Sequence, residues 1–126
     1  MTLLARQTPH EAYRRVDFDA RVEGADTGQL VAVCCEQLAA ALGTAIHADR
    51  IGDNLLRSRS LARALAAITA LELGVAGDGG VAASLRTVYG AARRAVLDSV
   101  PRFDAERLAQ LRDDFSEIGR ALQAAR

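Results

Sequence analysis

The side chains able to do chemistry are few, and their spacing argues against most of the chemistry they could do. Cys34 and Cys35 are adjacent inside a run that reads as helix. Neighbours on a 3.6-residue turn point about 100° apart, so a mutual disulfide is disfavoured, and the pair lacks the C-x-x-C spacing of zinc and redox sites. His10 adjoins Glu11, and His47 has no carboxylate at the Glu-x-x-His spacing by which helical bundles hold paired metals. Every basic residue is an arginine, which removes Schiff-base and P-loop lysine chemistry. The run Gly74-Val75-Ala76-Gly77-Asp78-Gly79-Gly80 lies between helical segments with no Lys-Ser/Thr after it, so it reads as a turn rather than a phosphate cradle. There is no Gly-x-Ser-x-Gly elbow and no obvious Ser/His/Asp set. These residues predict no metal, no cofactor and no enzyme.

The elements that position them are helices. The stretch from Val81 to Val100, entered through Gly79-Gly80 and stopped at Pro101, organises the rest. Val81, Leu85, Val88, Ala92 and Val96 recur at three- and four-residue spacing on one face, with Tyr89 beside that stripe and Arg86, Arg93 and Arg94 towards its edges. Thr8-Pro9-His10-Glu11 starts a short, highly charged helix or arm that runs to about Ala20. After Gly24, a long helix carries Leu30, Cys34, Leu38, Ala41, Leu42, Ala45 and Ile46 to a break at Ile51-Gly52-Asp53. The next buries Leu61, Ala64, Leu65, Ile68, Leu71 and Val75, with Arg57, Arg59 and Arg63 outward. Asp104 caps the last, whose Leu108, Leu111, Phe115, Ile118 and Leu122 form a bundle seam. The expectation is an all-α protein, an antiparallel four-helix bundle over residues 25–126 with an N-terminal arm or short helix over 1–24.

Composition agrees. Of 126 residues 50% are apolar and only 4% aromatic, enough to bury a single core with closely spaced helices. Sixteen basic residues balance sixteen acidic ones, and a zero net charge disfavours a nucleic-acid partner. No segment resembles a signal peptide, and none reaches membrane-spanning length without charge, so no membrane insertion is expected. Reduced cysteines in a cytoplasmic protein follow from that.

Two resemblances sharpen the reading. His47-Ala48-Asp49-Arg50-Ile51-Gly52 faintly resembles the site of histidine phosphotransfer bundles, although Asp49 intrudes and His47 lies at a helix end. More of the chain resembles the FliS family of flagellar export chaperones. Ala25-Asp26-Thr27-Gly28-Gln29-Leu30-Val31 is similar to that family's Ala-Ser-Pro-x-x-Leu-Ile entry to the first long helix. Arg63-Ala64-x-x-Ala67-Ile68-x-x-Leu71 is similar to its Lys-Ala-x-x-Ile-Ile-x-x-Leu. Leu85-x-x-Val88-Tyr89-Gly90-Ala91-Ala92-Arg93-Arg94-Ala95-Val96 resembles its Leu-x-x-Leu-Tyr-Asp-Tyr-Met-x-Arg-x-Leu, and Phe115-x-x-Ile118-x-x-Ala121-Leu122 its closing helix. The matches run in order over residues 25–122. The chain departs where the family's Leu-Tyr-Asp reads Cys34-Cys35-Glu36, where its second tyrosine reads Ala91, and where its closing tryptophan reads Leu122.

The resemblance implies a cytoplasmic chaperone that binds the disordered C-terminal segment of flagellin, prevents premature polymerisation and serves the type III export gate. The client groove it implies uses Leu61, Ile68, Leu85, Arg86, Val88, Tyr89 and Arg93. The apolar members of that set are also what any bundle core needs, while the tyrosine and the arginines suit a groove rim. Tyr13 or Phe18 would be the aromatic of an N-terminal lid. Phosphotransfer at His47, or the same bundle serving another secreted client, are the alternatives.

Overall fold

The structure is a computed structural model that describes residues 27–124. Four helices follow one another, α1 (Thr27–Ile51), α2 (Asn54–Leu73), α3 (Gly80–Asp98) and α4 (Ala105–Ala124), and the described residues contain no strand. Tyr13, Phe18 and the predicted N-terminal arm lie outside the described residues.

The boundaries have local causes. After Ile51 the chain turns through Gly52, whose φ of 76° is the left-handed conformation that costs an L side chain energy. The Asp53 N–H donates to the Ala48 carbonyl at 2.8 Å and the Gly52 N–H to that of Asp49 at 3.2 Å, closing the last turn as a Schellman motif. Asp53 then caps α2 by accepting from the Leu56 N–H at 3.0 Å. Gly77, with φ 84°, turns the glycine-rich connection. Asp104 accepts from the Arg107 N–H at 3.1 Å at the start of α4.

In this bundle α1 packs on α2 and α4, α3 packs on the same two, and α1 and α3 are diagonal. The core comprises Leu38 and Leu42 of α1, Leu61 and Ile68 of α2, Leu85, Tyr89 and Val96 of α3, and Leu108 and Phe115 of α4. At Gly119 α4 comes close to α1, since a Cβ there would lie 3.4 Å from that of Cys35. The Gln123 amide also donates to the Glu36 carboxylate, holding the two helices together near the end of α4. α4 thus leans onto α1, and its contact with α3 is the sparsest in the ring.

Several sequence expectations are corrected. The inward face of α1 is Ala32, Cys35, Leu38, Ala41, Leu42, Ala45 and Ala48, whereas Leu30 is 60% exposed and Cys34 and Ile46 are half-buried. Arg57 does not simply face solvent: it pairs with Asp49 at 2.8 Å and its guanidinium stacks 5.7 Å from the Phe103 ring centre. By length and composition Gly28–Ile51 could cross a membrane, with mean hydropathy 1.5 over its best window, which the sequence reading did not anticipate. Its apolar character also fits a core helix, because one face of α1 is covered by α2 and another by α4.

Candidate functional site

The loose contact between α3 and α4 leaves a groove of about 770 Å³ along the bundle. One wall is Val88, Ala91, Ala92 and Ala95 of α3; the apolar part of the other is Leu111, Phe115, Ile118 and Ala121 of α4. The alanines explain why the space is open. Their short side chains cannot fill the gap between two helix backbones that α4's approach to α1 keeps apart. At the end nearest Pro101 the Arg107 guanidinium links α4 to α3, donating to Asp98 at 3.1 Å. Beyond it, Gln110, Asp114 and Glu117 continue along α4 as a polar rim, with the Gln110 amide donating to Asp114 at 3.0 Å.

Phe115 floors the groove, and behind it, in the core, lies Tyr89. Of the two neighbours counted in the client groove, Val88 lines the groove, 45% exposed, and Tyr89, expected at its rim, is interior, 2% exposed. Burial accordingly raises the Tyr89 phenol pKa well above its ordinary value.

Of the other candidate groove residues, Leu61, Ile68 and Leu85 are buried in the core. Arg86 is exposed and lines no part of this groove. Arg93 reaches across to α2, where it donates to Glu72 at 2.5 Å and to the Thr69 hydroxyl at 2.6 Å. Only Val88 of the seven lies in the α3–α4 groove. Sequence reasoning missed Ala91 and Ala95, which have no bulk to draw the eye, read Leu111 and Ile118 as seam, and favoured core over groove for Phe115. A small-small pair four apart beside an apolar stripe was the available signal.

A second, smaller depression of about 470 Å³ runs between α1 and α2, lined by alanines and bordered by Cys34, Thr44 and Arg63. Both cysteines are free thiols. Burial raises the Cys34 pKa, and it pushes Cys35 up to about 12, with the neighbouring Cys34 and Glu36 adding to the shift. Such thiols are poor nucleophiles and poor ligands at neutral pH. No cluster of potential metal ligands occurs among the described residues. His47 is exposed one turn before the end of α1.

A family model described as flagellar protein FliS matches residues 9–126, nearly the whole chain. No curated protein and no solved structure matches it. The bundle, the order of its motifs and that match agree, and the chain belongs to the FliS family, whose members are flagellar export chaperones.

Proposed function

We propose that this protein binds the C-terminal segment of flagellin in the cytoplasm, prevents its premature polymerisation and delivers it towards the type III export gate. The observation that carries the reading is the open apolar groove between α3 and α4 in a bundle of this family. An amphipathic segment laid along it would cover Val88, Leu111 and Ile118, which are otherwise exposed or half-buried. Helix-in-groove packing of this kind draws its free energy from apolar area removed from water. Part of that energy offsets the ordering of a disordered tail, so the contact must be long rather than local. With no client present, the N-terminal arm, through Tyr13 or Phe18, is the natural cover for the same surface.

The test is co-purification with intact flagellin and with flagellin lacking its C-terminal segment. Retention of the first and loss of the second supports the reading. Equal retention of both would move the contact elsewhere on flagellin, and retention of neither would point to a different secreted client.

A further inference from the structure

The two walls of the groove differ in charge. α3 contributes only Val88, Ala91, Ala92 and Ala95, with no polar atom beyond the backbone. On α4, Arg107, Gln110, Asp114 and Glu117 follow one another at three- and four-residue steps, so they form a single ridge along the rim. At the end nearest Pro101 the ridge is neutral, because Asp98 answers Arg107. Gln110 is uncharged and leaves the carboxylate of Asp114 with its full charge. Among the described residues no cation pairs with Asp114 or Glu117; the one other acid on that turn with a partner is Asp113, paired with Arg112. Two uncompensated carboxylates, one helical turn apart, therefore overlook an apolar trough about four turns long.

Resting on the reading of this groove as the client site, we infer that its occupant is an amphipathic helix with basic side chains, one turn apart, on the flank facing α4. Apolar burial supplies most of the affinity, and the carboxylates choose the flank and hence the direction in which the helix lies. Acidic side chains on that flank would be repelled.

The test uses the full-length protein and two labelled helical peptides of about 18 residues, roughly 27 Å long. They share one leucine-alanine face and differ only in carrying lysines or glutamates beside it. By fluorescence anisotropy at low salt, the lysine peptide should bind about tenfold more tightly, as two exposed ion pairs exchanged for two repulsions allow. In about 0.5 M salt the gap should narrow while binding of the lysine peptide persists. In the D114K/E117K protein the preference should reverse. Equal binding of the two peptides, a preference unchanged in D114K/E117K, or exclusion of both peptides by self-association of the chain would overturn the inference. The flagellin C-terminal segment, measured on both proteins, separates the two ideas. If it fails to bind while the lysine peptide behaves as stated, the flagellin reading falls alone. If it binds equally to the native and D114K/E117K proteins, the charge inference falls alone.

Discussion

The ring of Tyr89 on α3 lies 6.4 Å from that of Phe115 on α4, the planes tilted by 35°, and this contact separates the core from the groove. Phe115 faces the trough, and Tyr89 supports it from behind. Residues of the groove floor are thus also residues of the fold.

Replacing Tyr89 by alanine should therefore act first on stability. Deleting a buried aromatic ring costs about 3–5 kcal/mol, from lost burial and from the cavity left behind. Tyr89→Phe keeps the ring and should cost far less. Urea unfolding followed by circular dichroism measures both. An unchanged midpoint for Tyr89→Ala, with client binding lost, would show that the tyrosine meets the client directly.

Substitutions on the open walls should separate binding from folding. Val88→Asp and Ile118→Asp place a charge where a client's apolar face would rest, and should weaken flagellin-tail binding at least tenfold, about 1.4 kcal/mol. Arg59→Ala, on an exposed part of α2, should leave binding unchanged. Arg57 is unsuitable as the neutral comparison, because its pairing with Asp49 and its stacking on Phe103 tie the α1–α2 turn to the connection before α4. Titration with labelled tail, alongside thermal melts of each variant, distinguishes the effects.

Much of the bundle was legible in the chain. Gly52, the glycine run and Pro101 mark the three connections, and Asp53 and Asp104 sit at the caps their types predict. The assignment of Val88 and Tyr89 was not legible. From Leu85, steps of three and of four residues are equally helical, and they lead to Val88 and Tyr89 respectively. Choosing between them requires knowing that α4 lies close to α1 and away from α3, a relation between distant segments set partly by Gly119. The groove escaped for the same reason, since its α3 wall is mostly alanine and its α4 wall has the spacing of a bundle seam.

The approach at Gly119 can be tested directly. A Cβ at this position makes ordinary contacts, the nearest at 3.4 Å, so Gly119→Ala should fold nearly as well as the native protein. Gly119→Leu has no such room and should lose about 1–3 kcal/mol through overpacking between α1 and α4. Denaturant midpoints of the two variants decide it.

The thiols predict an alkaline limit. Cys35 is pushed up to about 12 by burial, against an ordinary 9, and the phenol of Tyr89 is raised for the same reason. Folded protein resists ionising both groups, while the unfolded chain releases those protons near the ordinary values. Their contribution to stability is therefore full below about pH 9 and is lost progressively as pH rises towards 12. Denaturant midpoints measured from neutral pH upward should fall across that window, and Cys35→Ala should reduce the slope. At pH 8 iodoacetamide should modify Cys34, the half-buried thiol, before Cys35.

The central claim is that a flagellin tail binds the α3–α4 groove through apolar burial. The decisive measurement is isothermal titration of the full-length protein with the native flagellin C-terminal segment, at two temperatures about 15 °C apart and at low and high salt. Saturable one-to-one binding is expected, with a negative heat-capacity change between the two temperatures, largely retained at high salt and lost in Val88→Asp. No heat of binding at either temperature, or undiminished binding by a folded Val88→Asp protein, would contradict it.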